Sequence, residues 1–171
     1  MLWAYIFING SSENKWLGSM FYFPHAARVL CVVYFGYKAI PGLYLGELVG
    51  PYILDPGIYS FSLFIPSLIS VMSVPFALTM LNSLGFTLGK TRSSPLNRRN
   101  YKHILLITFI SAGFNSLLVN LYMSRNNLSF PNAITDIEQV YRFFVGDFLG
   151  TVFVFIFLAM LLIPVLRQAR N

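Results

Sequence analysis

The chain has 171 residues, of which 56% are hydrophobic and 11% are charged, and its formal net charge is +6. A soluble domain is usually about 25% charged, so this composition excludes an ordinary soluble protein and predicts an all-α integral membrane protein. In a membrane the excess of positive charge bears on orientation, and we expect no nucleic-acid partner.

Apolar stretches predict five transmembrane segments in a single membrane domain that covers residues 1–171. The segments lie at about 20–39, 41–54, 58–84, 104–123 and 140–166. A spanning helix needs roughly 20 apolar residues, so the second segment is short. We therefore expect residues 20–54 to form a hairpin that is rich in proline and glycine.

Basic residues predict how the chain is oriented in the membrane. The linker at 89–103 carries Lys90, Arg92, Arg98, Arg99 and Lys102, and the tail carries Arg167 and Arg170. Short loops rich in Lys and Arg remain on the cytoplasmic side of a membrane. Because two segments separate this linker from the tail, both are expected to be cytoplasmic, which leaves the linkers at 9–18 and 124–139 outside.

Glycines recur at a spacing of four residues in two of the segments. Gly42, Gly46 and Gly50 lie in segment two, and Gly146 and Gly150 lie in segment five. Residues four apart share a helix face, and small residues there let another helix approach closely. We expect these two segments to pack through their glycines, and Gly46 and Gly150 to tolerate leucine less well than Gly36. The simpler interpretation is that glycine is frequent in membrane helices.

Several ionisable side chains fall inside the segments, and His25, Arg28, Glu47 and Asp147 are candidate ligand- or partner-binding residues. Such groups are costly in a membrane and usually face a partner or a watery cavity. Carboxylates bind arginine in a bidentate manner, so we expect Arg28 and Asp147 to interact in the interior, directly or through water, near the outer face. Glu47 is expected to pair with Lys38 across a turn at Ile40-Pro41, unless Lys38 extends to the nearest interface. His25 is either a sensing residue or an ordinary interfacial histidine.

Motifs for catalysis and for metal binding are missing from the sequence. We find no GxSxG, no HExxH and no P-loop, and the carboxylates are scattered along the chain. The one cysteine, Cys31, has no Cys or His cluster around it. We therefore expect a protein that is not an enzyme and that uses no cofactor and no metal.

Two stretches of the chain resemble parts of a known family. Residues 22–50, YFPHAARVLCVVYFGYKAIPGLYLGELVG, have an aromatic-Pro start, an apolar helix, a proline corner and a Leu-Gly helix. Residues 146–164, GDFLGTVFVFIFLAMLLIP, have Asp, then Leu-Gly, then an apolar run to Pro. These features resemble the MASE-type membrane-associated sensor domain, in particular the version in the sugar-phosphate sensor kinase of enteric bacteria. The matching positions are Pro24, Arg28, Pro41, Gly46, Asp147 and Gly150.

The resemblance implies an input module of the bacterial inner membrane that receives a signal, often through another membrane protein. Such modules normally feed a histidine kinase or a diguanylate cyclase. The chain departs from the family in having HAAR, residues 25–28, where a glycine follows the first proline. It also has fewer crossings, so we expect a shortened form of the domain that has no output domain after Asn171.

Two functions fit these observations. The first is a non-enzymatic sensor or accessory module that docks on another integral membrane protein or complex. The second is a small solute-binding transport component, with an outward-facing cavity near His25, Arg28 and Asp147. Lipids are expected partners in both cases, and the glycine faces are compatible with an oligomer. Co-purification with a larger complex would favour the first function, and an ordered small molecule in the cavity would favour the second.

Overall fold

The computed structural model describes residues 22–54, 64–86, 101–126 and 136–168, and in these ranges it contains helices and turns but no strand. The helices are α1 (Phe23–Phe35), α2 (Ile40–Leu54), α3 (Phe64–Ser83), α4 (Tyr101–Arg125) and α5 (Asp136–Gln168). A 3₁₀ turn, Gly36–Ala39, joins α1 to α2. The predicted all-α class is confirmed.

Four stretches of the described residues are long and apolar enough to cross a membrane. They are Phe23–Gly50, Phe64–Ser83, Tyr101–Arg125 and Ile137–Leu161. A helical membrane protein with several crossings is therefore supported, whereas five separate spans are not confirmed. The predicted linker at 9–18, most of those at 89–103 and 124–139, and the end of the tail lie outside the described residues.

Helices α1 and α2 form a hairpin, although their residues follow one another without a loop. Gly36 between them has φ 65° and ψ −151°, a conformation that suits glycine because it has no Cβ. Across the turn, Arg28 Nε donates to Glu47 Oε2 at 3.3 Å. In one straight helix the Cα atoms of these residues would be roughly 28 Å apart, so the chain must reverse. Each arm is roughly 20 Å long, which is shorter than the ~30 Å hydrocarbon core.

The helices pack side by side, with α3 on α4, α4 on α5 and α1 on α5. Aromatic pairs mark these contacts, because the ring centroids of Phe76 and Phe114 are 4.7 Å apart and those of Phe109 and Phe144 are 5.2 Å apart. A buried apolar cluster joins α1, α3 and α4; it consists of Val29, Val32, Val74, Leu81, Ile104 and Ile107. This core holds α1 between the other helices.

The start of α1 lies against the backbone of α5. The Tyr22 N–H donates to the Gly146 carbonyl oxygen at 2.9 Å, and Pro24 is in the first turn of α1, where a missing N–H has no cost. Gly146 lies ten residues after the start of α5 at Asp136, which is roughly 15 Å along that helix. Helix α1 therefore begins deep along α5 rather than at its end, and its first side chains enter the interior.

Candidate functional site

Helix α1 carries two polar side chains on its buried face. His25 is 0% exposed and Arg28 is 2% exposed, and the apolar Ala26 and Val29 beside them are also buried. Residues three apart share a helix face, so His25 and Arg28 point into the same part of the interior. Their burial results from the deep start of α1, since a helix that began at the membrane surface would expose its first turn.

Arg28 forms a bidentate ion pair with Glu47 on α2. Its Nε donates to Glu47 Oε2 at 3.3 Å, and its Nη2 donates to Glu47 Oε1. Tyr22 completes the arrangement, because its hydroxyl accepts from Arg28 Nη2 at 3.2 Å and donates to Glu47 Oε1 at 3.3 Å. The guanidinium carbon also lies 5.4 Å from the centroid of the Tyr22 ring. The charges of Arg28 and Glu47 therefore compensate each other.

These contacts correct the predicted pair of Glu47 and Lys38, and they give Arg28 a nearer ionic partner than Asp147. Glu47 is bound to Arg28 and not to Lys38, which is exposed on the 3₁₀ turn. Arg28 and Asp147 both lie in the interior, as expected, but the direct ionic partner of Arg28 is Glu47. The physical reason is the hairpin, which brings Glu47 back alongside Arg28 and keeps Lys38 at the turn.

Asp147 has its own set of polar neighbours. It is 1% exposed, and its Oδ2 accepts from Asn115 Nδ2 at 2.5 Å. His25 Nδ1 lies 3.7 Å from the same oxygen, and His25 Nε2 lies 3.0 Å from Ser111 Oγ. Thr151 donates its hydroxyl to the backbone carbonyl of Asp147 at 2.7 Å. Helices α1, α4 and α5 thus meet around one carboxylate.

We use the name charged cluster for the side chains that meet here, namely Tyr22, His25, Arg28, Glu47, Ser111, Asn115 and Asp147. Three buried atoms in it have no hydrogen-bond partner among the described residues: His25 Nδ1, Arg28 Nη1 and Asn115 Oδ1. A buried polar atom without a partner costs about 1–3 kcal/mol. The charged cluster therefore has free binding capacity for a proton or for small polar groups.

Glycine packing differs from the prediction. Gly42 and Gly46 on α2 are exposed, and a Cβ added at Gly42, Gly46 or Gly50 would meet none of the described residues within 4 Å. Gly150 on α5 is different, because a Cβ there would lie 2.6 Å from the backbone nitrogen of Tyr22. The glycines of α5 therefore receive the start of α1, and the predicted contact between the glycines of segments two and five is not formed.

No protein-family model, curated protein or solved structure matches this chain. The resemblance to the MASE-type sensor domain stays a prediction. Of the positions that carry it, Arg28 and Asp147 belong to the charged cluster and Gly150 contacts α1, whereas Gly46 is exposed. Function must therefore be inferred from the geometry of the residues themselves.

Three members of the charged cluster were not predicted as site residues from the sequence, namely Tyr22, Ser111 and Asn115. Asn115 gave a signal, because an amide in an apolar segment needs a polar partner. Tyr22 precedes Phe23-Pro24 at the start of a helix, and nothing in its spacing from Arg28 indicates a hydrogen bond. Its role depends on the way α1 meets α5, which the sequence does not encode locally.

An apolar groove of about 390 Å³ lies on the other side of α1. Its walls are Phe23, Ala26, Ala27, Leu30, Phe153, Val154 and Phe157. These side chains suit a lipid chain better than a polar solute. Among the described residues no group of three or more His, Cys, Asp or Glu side chains comes together to hold a metal ion.

Proposed function

We propose that this chain is a non-enzymatic membrane sensor or accessory module that docks on another integral membrane protein and receives its signal at the charged cluster. One observation carries the proposal: four ionisable side chains from α1, α2 and α5 meet in the interior of a membrane protein. Ionisable groups at such depth are expensive and usually mark ion pathways, proton relays or ligand sites. A purely structural contact needs none of them, because apolar residues of similar volume often stabilise as well as a buried ion pair.

The exposed glycines of α2 support the docking part of the proposal. Gly42 and Gly46 lie on a face that none of the described residues covers. Small residues let a second helix approach closely enough for backbone contacts, which lipid chains do not require. We propose a transmembrane helix of a different protein as the occupant of this face.

We also propose that the protein lies in the bacterial inner membrane with its C-terminus in the cytoplasm. The basic linker at 89–103 and the basic tail support this orientation. The α1–α2 hairpin does not alter the side on which the later linkers lie. Two crossings and a re-entrant hairpin both return the chain to the side of the membrane from which it started. Five crossings, or three crossings and one re-entrant hairpin, therefore give the same sidedness.

Cysteine labelling tests this orientation. In a Cys31→Ser background, single cysteines at Ser93 and Asn132 are treated with a membrane-impermeant maleimide on intact cells. Asn132 should react and Ser93 should react only after lysis, because the linkers that contain them are proposed to lie on opposite sides. Labelling of Ser93 on intact cells would overturn the orientation.

Site-specific crosslinking tests the docking proposal. Leu45 lies beside Gly46 and is 61% exposed, so a photo-crosslinking amino acid there should capture a discrete protein partner. Leu121 on α4 is 66% exposed and serves as a matched lipid-facing control. Gly46→Leu should abolish capture from position 45, because a larger side chain holds the helices apart. Capture of lipid alone from both positions, or of a second copy of this chain, would refute docking on another protein.

The same assay tests whether the charged cluster is the input. Asp147→Asn keeps the shape of the side chain and removes its charge. The variant should remain monodisperse in mild detergent and change the yield of the crosslink from position 45. An unchanged crosslink yield from a folded Asp147→Asn variant would show that the charged cluster does not influence docking.

A solute-binding transport component is the second candidate. It is favoured by the unpartnered Arg28 Nη1 and Asn115 Oδ1, which could bind one polar solute. Native mass spectrometry of the protein in mild detergent distinguishes the candidates. A small-molecule adduct that is lost in Arg28→Ala would support transport, and a retained protein partner would support the sensor module.

A further inference from the structure

We infer that His25 and Asp147 together form a binding site for one exchangeable proton inside the membrane domain. The inference deepens the proposed function, on which it rests, because it names the ligand that the charged cluster takes up. It depends on the position of the two side chains, on the direction of the hydrogen bonds around them and on the charge of their neighbours.

The hydrogen bonds of Ser111 fit one tautomer of the His25 ring. Ser111 Oγ is placed to donate its single hydrogen to the Thr108 carbonyl oxygen, 3.1 Å away, and to accept from His25 Nε2, 3.0 Å away. In that arrangement Nε2 carries a hydrogen, and the other nitrogen of a neutral imidazole, Nδ1, is bare.

The bare nitrogen faces a carboxylate. His25 Nδ1 and Asp147 Oδ2 are 3.7 Å apart, and Nδ1 has no hydrogen-bond partner among the described residues. Without a proton, two atoms that can only accept lie 3.7 Å apart in a buried site. One proton between them makes a hydrogen bond, whichever atom holds it more tightly, and the two side chains would close by roughly 0.5–1 Å to reach hydrogen-bonding distance.

The net charge of the charged cluster also favours the uptake of one proton. Arg28 carries one positive charge, whereas Glu47 and Asp147 carry two negative charges, so one negative charge is in excess. The neighbouring polar groups, Tyr22 before α1 and Ser111 and Asn115 on α4, are neutral. Helix α3 carries no titratable residue in Phe64–Ser83. One added proton therefore makes the charged cluster neutral, which is the favourable state in a membrane.

A proton fits this place better than a metal ion. His25 and Asp147 are 0% and 1% exposed, which leaves little room for a hydrated ion. Hard cations require about six oxygen ligands, whereas Asp147 Oδ2 already accepts from Asn115. The proton needs only the two atoms that already face each other.

NMR of ¹⁵N-histidine-labelled protein in detergent micelles tests the proposal directly. The chain has two histidines, so His103→Gln leaves the His25 ring as a single set of signals. Over the pH range in which the protein stays folded, these signals should show Nδ1 changing from a bare nitrogen to one that shares a proton. Infrared difference spectroscopy should detect the part of the proton that resides on the Asp147 carboxyl group.

Matched variants give the comparison. Asp147→Asn should abolish the change at Nδ1, because the amide cannot share the proton and Arg28 disfavours a charged ring. Glu138→Gln on the same helix should leave the change intact, since Glu138 is paired with Arg142 near the start of α5. A titration that is the same in Asp147→Asn, or a His25 ring and an Asp147 carboxylate that both stay unprotonated throughout, would overturn the proposal.

The two experiments can fail separately. Loss of crosslinking at position 45 with an intact His25 titration would refute docking and leave the proton site standing. An absent His25 titration with intact crosslinking would refute the proton site and leave the proposed accessory module standing.

Discussion

Gly150 on α5 lies against the backbone of Tyr22 just before α1, and we predict that Gly150→Ala will destabilise the protein. The added Cβ would lie 2.6 Å from the nitrogen of Tyr22 and 2.8 Å from both its carbonyl carbon and its carbonyl oxygen. Ordinary contacts between carbon atoms lie at about 3.5–4.0 Å, so the start of α1 must retreat by about 1 Å. The atoms in the way are backbone, which cannot move aside as the end of a flexible side chain can.

The expected cost follows from three contributions. Inserting a methyl group into a packed contact costs about 1–3 kcal/mol. The retreat also stretches the 2.9 Å hydrogen bond from Tyr22 to Gly146, a type of bond with a net value of about 0.5–1.5 kcal/mol. Alanine is better than glycine inside a helix by about 0.5–1 kcal/mol, which offsets part of the loss. A net destabilisation of about 2 kcal/mol corresponds to a Tm decrease of about 4–8 °C for a protein of this size.

Thermal unfolding in mild detergent measures this decrease, and Gly46→Ala is the matched control. Both positions are helical glycines, but a Cβ at Gly46 meets no atom of the described part of the chain within 4 Å. Gly46→Ala should therefore melt at the wild-type temperature or slightly above it. If Gly150→Ala melts as high as Gly46→Ala, the close contact between α1 and α5 is not formed and the explanation for the depth of the charged cluster fails.

Two further predictions concern pairs of side chains in the interior. Arg28→Ala should destabilise the fold by about 1–3 kcal/mol more than the double variant Arg28→Ala/Glu47→Ala, because the single change leaves the Glu47 carboxylate without its partner. Thermal unfolding of the two single variants and the double variant measures this, and additive losses of stability would contradict it. The equivalent cycle for Arg28 and Asp147 should give a smaller coupling, since these residues are not bonded to each other. Asn115→Leu should cost about 1–3 kcal/mol in the same assay because Asp147 loses an amide donor. Asn120→Leu is its control, because Asn120 donates to a carbonyl of its own helix, and equal losses in both variants would argue against the interhelical bond.

The interior location of Arg28 and Asp147 could be predicted from the sequence. Both are ionisable residues in long apolar runs, and a short aspartate side chain cannot extend far toward a membrane surface. The choice of partners could not be predicted, because it depends on where the chain reverses. The corner was expected at Ile40-Pro41, whereas the reversal uses the unusual φ of Gly36. That shift brings Glu47 opposite Arg28.

Glycine spacing illustrates the same limit. The spacing of four residues identifies a face on α2 and a face on α5, but it does not say what stands opposite each face. The structure distinguishes them, since Tyr22 stands against Gly150 while the space in front of Gly46 is open. It also reverses the expected ranking of two substitutions. Gly36→Leu should be more harmful to the fold than Gly46→Leu, because side chains rarely adopt the backbone conformation of Gly36.

The hydrogen bond between Tyr22 and Gly146 has a consequence for the timing of biosynthesis. Its two residues are separated by about 120 positions, and chains grow at about 5–20 residues per second, so the start of α1 waits roughly 6–25 s for its place on α5. Until then the start of α1 can pack on α3 and α4, but His25 has no Asp147 beside it. The charged cluster is therefore complete only when α5 has entered the bilayer.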